Sequence, residues 1–370
     1  MAAHHRTCDI GSRAISITLK PLAEQVILIT GASSGIGLVT ARSAAARGAR
    51  VMLVARGEDA LRDAVAAIEA AGGTAGYAVA DVGVLAEVEA AAAKTVARFG
   101  RIDTWVNNAG VAIYAKLVET PLDEHQRLFR TNYFGAVNGC VTAVRHLRGA
   151  GGALITVASI VSDIPSPIMG AYAASKHAVK GYVESLRIEL KADRPEIAVT
   201  LIKPSGIDTP IAQHAANHQD AEAVVPPPVY DPQLVADAIV DAAVNVRRDV
   251  TVGGAGRTQV LLGTHFPAIL ERLGPLLQPV LKDRDQPKTL SNNLFAPALV
   301  GRERSGVNPG RRRTSLYTAA ARNPLALAAI GLSSIGVFLA LSGSRRSLSS
   351  VRTTLPVDGQ EQDAGARVVH

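Results

Sequence analysis

From residue 25 to residue 202, six short apolar runs alternate with segments of helical pattern, and this constrains the fold more than any other feature. The runs cover 26–29, 51–54, 75–80, 102–106, 153–158 and 197–202. The patterns between them predict helices over 35–48, 59–71, 85–99, 122–147 and 171–192. Strands that are apolar almost throughout, each followed by a helix, form a parallel sheet covered on both faces. Right-handed crossovers then make the sheet doubly wound, with its ligand at the carboxyl ends of the strands. A further helix over 232–246 and a strand over 250–252 would close an α/β sheet of about seven strands.

A chain of 370 residues suits one large domain with appendages. Cys8 and Cys140 are the only cysteines, which excludes a disulfide framework and a cysteine metal cluster. No metal site is expected, and a reducing compartment is the simpler reading. The first twenty residues lack the apolar core of a secretory signal.

The net charge of +7 is uneven, because residues 301–370 hold ten arginines against four acids. Such a tail suits an anionic membrane, a nucleic acid or plain solvation. Nucleic-acid binding is not expected, since aromatic interleaving and a reader motif are missing. Residues 324–342 are uncharged and mostly apolar, and nineteen helical residues reach about 28 Å, close to a hydrocarbon core of about 30 Å. Strongly apolar short helices over 258–282 would cover a substrate mouth or touch lipid. The expected organisation is an N-terminal extension (1–23), a catalytic domain (24–257) and an apolar helical extension (258–300). A basic linker (301–323), a transmembrane or anchor helix (324–342) and a polar tail (343–370) complete it.

The run Thr30-Gly31-Ala32-Ser33-Ser34-Gly35-Ile36-Gly37 lies between the first strand and the first helix. Glycines there let the backbone approach a pyrophosphate, whose charge the helix N-terminus favours. The second strand ends at Arg56, where a site for unphosphorylated ribose usually places an acid. A guanidinium suits a 2′-phosphate, so NADP(H) is expected over NAD(H). Glu58 and Asp59 lie close enough to keep the NAD(H) reading open.

Tyr172 and Lys176 are four residues apart, on one face of a helix, with Ser159 upstream at the end of the fifth strand. A nearby ammonium favours a phenolate, so Lys176 is expected to lower the Tyr172 pKa from about 10. A phenol tuned in this way exchanges protons with a substrate oxygen that Ser159 holds in place.

Taken together and in this order, the motifs resemble the short-chain dehydrogenase/reductase family over about residues 24–255, in its Thr-Gly-x-x-x-Gly-x-Gly and Tyr-x-x-x-Lys branch. The matching positions are Thr30 to Gly37, Asp81-Val82, Asn107-Asn108-Ala109-Gly110, Asn132, Ser159, Tyr172, Lys176 and Pro204 to Thr209. The resemblance implies a Rossmann-type fold with Gly31, Ser33, Ser34, Gly35, Ile36 and Gly37 around the cofactor. It implies that Asp81, beside Val82, holds the adenine amine, and that Asn108, Ala109 and Gly110 line the cofactor. Pro204, Ile207 and Thr209 would lie by the carboxamide. Tyr172 would be the proton donor or acceptor, with Ser159 positioning the substrate oxygen. Lys176 would also bind the nicotinamide ribose, and Asn132 would serve a proton relay. The family's Pro-Gly after the sixth strand is Pro204-Ser205 here, which leaves that loop's path open.

The expected function is an NADP(H)-dependent oxidoreductase that interconverts a carbonyl and a secondary alcohol on a hydrophobic substrate. The alternative is a membrane-tethered NADP(H)-binding scaffold without turnover. Membrane association with the catalytic domain in the cytoplasm is expected, or a soluble cytoplasmic protein if 324–342 is not a span. A homo-oligomer is expected from the family.

Overall fold

The computed structural model describes residues 17–193, 196–290, 292–298 and 301–322. Seven parallel strands form the sheet: β1 (Val26–Thr30), β2 (Arg50–Ala55), β3 (Thr74–Val79), β4 (Thr104–Asn107), β5 (Gly152–Val157), β6 (Ile197–Pro204) and β7 (Asp249–Val252). Their order is β7-β6-β5-β4-β1-β2-β3. The order reverses between β1 and β4, so the carboxyl ends of those two strands flank the crevice where such sheets bind ligands.

Helices α1 (Gly35–Ala45), α2 (Glu58–Ala70) and α3 (Leu85–Phe99) follow the first three strands. α4 (Leu122–Phe129) and α5 (Gly135–Leu147) separate β4 from β5, α6 (Gly170–Asp193) leads into β6, and α7 (Pro232–Val244) precedes β7. One core lies between the sheet and α1, α2 and α7, where Ala41, Ala44, Leu61, Ile239 and Ala242 meet Ile27, Ile29 and Val51. On the other face Val88, Ala92, Cys140, Val179 and Val183 pack against Val26, Leu28, Trp105 and Leu154. Small helix residues let the backbones approach the sheet closely, and β1 is buried along its whole length.

The helix expected over 122–147 is interrupted. Residues Arg130–Phe134 form a π turn between α4 and α5. A π turn inserts an extra residue and re-aims the side chains around it, and here Asn132 lies 1% exposed within it. After β7 come α8 (Gly254–His265) and α9 (Pro267–Leu277), where helices were expected. Leu261, Leu262, Phe266, Ile269, Leu273 and Leu276 are exposed on them.

The described residues from 283 to 322, expected as the end of the apolar extension and a basic linker, are seated on the domain instead. Lys282–Asp283 pairs antiparallel with Glu222–Ala223, and Thr289 donates to Glu222 from both its N–H and its hydroxyl. Further on, Arg304 and Arg311 both donate to the buried Asp231, Ser305 bonds Asp208, and α10 (Leu316–Arg322) packs beside β7, with Thr318 accepting from the Gly253 N–H. Burial pushes the Asp231 carboxyl up, but Arg304, the Gln233 N–H and Arg311 outweigh it and hold it down at about 2. Arg304 and Arg311, expected within a basic linker, are thus paired with an acid that lies far back in the chain. Among the described residues no helix is long and apolar enough to cross a membrane, and the 324–342 segment lies outside them.

Candidate active site

The glycine turn joins β1 to α1. Gly31 has φ +65°, and a Cβ there would come within 2.7 Å of the Ala109 Cα. A Cβ on Gly37 would collide with the Gly31 carbonyl oxygen and approach Asn108 Nδ2 to 2.6 Å. Asn108 fastens the turn to the end of β4, donating from Nδ2 to the carbonyls of Thr30 at 3.0 Å and Gly31 at 3.2 Å. Asn107 is spent inside the sheet: it accepts from Trp105 Nε1 at 2.7 Å and faces Cys140 and Thr156.

One cavity of about 420 Å³ runs along the carboxyl ends of the strands. Gly31, Ser33, Ser34, Gly35, Ile36, Arg56, Asp81, Val82, Asn108, Ala109 and Gly110 line one part of it, and Ser159, Tyr172, Lys176, Pro204, Ile207 and Thr209 line another. Every expected site residue is thus brought together except Gly37 and Asn132, which sit just behind the wall. Both Nδ2 protons and the Oδ1 of Asn132 are used, on Val111 O, Ser175 Oγ and the Val111 N–H. Its side chain therefore braces the segment after β4 against α6, with both Nδ2 protons engaged.

Tyr172 does not behave as the sequence suggested. Its pKa is pushed up to about 12 by burial, while a hydrogen bond from Ser159 pulls it partly back. Lys176 Nζ lies 5.7 Å from the ring centroid and donates to the Val157 carbonyl at 3.0 Å. Burial pushes this ammonium down to about 8, so desolvation weakens the cation that was expected to acidify the phenol. At neutral pH the Tyr172 phenol is therefore held protonated. Ser159 caps a short 3₁₀ turn (Ile160–Ser162) in a capping box with Ser162, which fixes its hydroxyl at the end of β5.

The loop after that turn is pinned by charge. Asp163 accepts from Lys180 and, at 2.8 Å, from Lys203. Burial raises its carboxyl, but the two lysines outweigh this and hold it below its ordinary value. Side-chain exposure is only 8% for Asp163 and 11% for Lys203. Asp163→Ala leaves a buried ammonium without its partner, and the expected loss is about 3 kcal/mol of unfolding free energy in urea titrations.

Ser205 replaces a glycine without adopting positive φ. Two glycines opposite make room for it: a Cβ on Gly253 would strike Ser205 Oγ, and one on Gly256 would lie 2.6 Å from Ser205 Cβ.

Arg56 lies at the end of β2 as expected, but its guanidinium donates to the carbonyls of Leu294 at 3.1 Å and Ala296 at 3.4 Å, and to that of Asn293. Burial and the neighbouring Arg127 lower its pKa. Burial raises the Asp81 carboxyl, but the Gly83 N–H and Arg127 outweigh it and lower its pKa overall. Tyr114, Thr131 and His214 also line the cavity and were not foreseen, as were Asn293, Pro297 and Ala298 from the C-terminal segment. Apart from His214, which stands four residues before His218, none of these belongs to a spaced motif, although Tyr114 lies only four residues after Gly110. Burial raises the Tyr114 phenol, with Tyr172 adding to the effect.

The family model described as short chain dehydrogenase matches residues 25–220. The chain belongs to that family. Over 322 residues this short chain dehydrogenase is 39% identical to an uncharacterized oxidoreductase, YxnA, of Bacillus subtilis, which spans 85% of this chain and 90% of that one. It is also similar to the structure of a short chain dehydrogenase/reductase from Burkholderia phymatum in complex with NAD, with TM-score 0.58 and 26% identity over 68% of this chain and 96% of that one. An alcohol dehydrogenase from the archaeon Thermococcus sibiricus, complexed with 5-hydroxy-NADP, matches with TM-score 0.55 and 25% identity, covering 62% and 95%. The family makes this chain an oxidoreductase of the dehydrogenase/reductase kind, and both structural neighbours carry a nicotinamide dinucleotide.

The residues here fit such a group. Gly31 and Gly37 leave a cradle that a Cβ would fill, and the N-terminus of α1 opens onto it. The buried Thr131 hydroxyl on the cavity wall has no hydrogen-bond partner among the described residues.

Proposed function

We propose that this enzyme is an NADP(H)-dependent reductase of hydrophobic carbonyl compounds, with Tyr172 as acid/base, Ser159 as the oxygen-positioning hydroxyl and Lys176 as the ribose-binding cation. The observation that carries this reading is the convergence of Tyr172, Ser159 and Lys176 on the cavity that the glycine turn opens. A phenol held protonated suits donation to a developing alkoxide, which favours reduction. The dinucleotide would supply the hydride, while the protein orients the carbonyl and moves the proton. Around Tyr172 the cavity is lined by Ile160, Val161, Ile164, Met169 and Leu270, which supports an apolar substrate.

Two neighbouring acids bear on the choice of NADP(H). Glu58 accepts from the Tyr77 hydroxyl at 3.0 Å, and Asp59 pairs with Arg62, so each is engaged away from Arg56. The exposed apolar residues of α8 and α9 support lipid contact at the cavity's rim. NADPH oxidation with a panel of lipophilic aldehydes and ketones tests the proposal. Arg56→Asp is expected to weaken NADPH more than NADH. Dinucleotide binding with no turnover across the panel would favour a scaffold instead.

The pH dependence follows from Lys176. The kcat/KM for NADPH reports groups of the free enzyme. Lys176 is charged below about 8 and neutral above it. The parameter is therefore flat at lower pH and falls about tenfold per unit above 8 as the ribose-binding charge is lost. In Lys176→Met that falling limb is absent.

A further inference from the structure

The C-terminal segment reaches the same cavity as the glycine turn. Asn293, Pro297 and Ala298 line it together with Gly31, Gly35 and Asp81. Leu294 is 0% exposed, inserted among Val111, Tyr114 and Leu128. Two cations grip this segment from the domain side. Arg56 donates to three of its carbonyls. Arg127 spans the gap, giving Nε to the Leu294 carbonyl at 2.9 Å and Nη2 to Asp81 at 2.7 Å. The Asn293 N–H also donates to the His214 carbonyl at 2.8 Å. Farther along, the Gly35 N–H, at the N-terminus of α1, donates to the Arg302 carbonyl at 2.8 Å.

These donors belong to the half of the cavity where an anionic dinucleotide would seek them. Backbone carbonyls are neutral acceptors, whereas a phosphate pairs with a guanidinium charge to charge and can take two of its N–H groups at once. The segment is therefore held firmly enough to close the cavity and weakly enough to yield to a charged ligand. On either side it is fastened independently, at Glu222 before it and at Asp231 after it.

We propose that residues 292–298 form the outer wall of the adenosine half of the dinucleotide site, latched by Arg56 and Arg127. This wall lifts to admit the dinucleotide and sets its rate of release. The proposal rests on reading the cavity as a dinucleotide site, and the test separates the two.

A Cβ at position 57 lies 3.3 Å from the Pro297 Cβ, close to the span of about 3.5–4.5 Å that a disulfide bridges. The full-length double variant Gly57→Cys/Pro297→Cys is followed by stopped-flow NADPH fluorescence, oxidised and then reduced. The bridged form is expected to bind and release NADPH at least about tenfold more slowly, with reduction restoring both rates. In the full chain, Leu294→Ala is expected to speed release by about fivefold or more. Equal rates in the bridged and reduced forms would overturn the wall. If no bridge forms, Leu294→Ala decides alone, and an unchanged release rate sinks the proposal. Absence of NADPH and NADH binding by the unaltered protein would instead remove the dinucleotide reading itself.

Discussion

Tyr172→Phe is expected to lower kcat for carbonyl reduction by about 10³-fold, or about 4 kcal/mol of transition-state stabilisation, while NADPH affinity changes little. The ring is buried in the cavity wall beside Tyr114, so phenylalanine keeps its packing and loses only the hydroxyl. That hydroxyl is hydrogen-bonded to Ser159 and held protonated by its surroundings. Without it, under the proposed mechanism, Ser159 would still hold the substrate oxygen but no acid would face it, and Lys176 is occupied at the Val157 carbonyl. Single-turnover absorbance at the NADPH band, beside fluorescence titration of binding, separates the chemical step from affinity. Near-native kcat would remove Tyr172 from the mechanism.

Gly37→Ala is expected to weaken NADPH binding by about 100-fold, as a displacement of about 1 Å in the turn misaligns the groups around the pyrophosphate. Its new methyl would overlap the Gly31 carbonyl and lie 2.6 Å from Asn108 Nδ2 and 2.9 Å from the Ala32 Cα. Two of these three neighbours are backbone, so the turn must open and the Asn108 clasp with it. Overpacking of this kind also costs about 1–3 kcal/mol of stability. Gly181→Ala is the control: it lies in α6 with nothing within 4 Å of the added methyl. The same chemical change is there expected to stabilise by about 0.5–1 kcal/mol. Isothermal titration and thermal unfolding of both variants check the contrast.

The sheet was legible because each strand is nearly all apolar, so its burial on both faces is written in consecutive residues. The glycine turn and the Tyr172 helix were legible for a related reason, since their spacing fixes geometry over a few residues. Proximity of Lys176 to Tyr172 could be read from a spacing of four, but the sign of the pKa shift could not. Burial decides that sign, and it depends on Leu128, Ala215 and Leu281, drawn from three separate regions of the chain. The π turn at Asn132 left no trace in a pattern that continues through it. Arg56 was read as free for a phosphate because its three acceptors are backbone carbonyls, which carry no residue signature, more than 230 positions away. Arg304 and Arg311 were likewise unreadable without Asp231.

The fit of Ser205 against Gly253 and Gly256 makes these three positions a single hereditary unit. A lineage could shed the serine first and keep folding, because removing its hydroxymethyl only vacates space. Giving either glycine a side chain first would meet an occupied site. Loss of the serine side chain must therefore precede any growth at Gly256, and even then Ile160, 2.8 Å from the added Cβ, would have to yield.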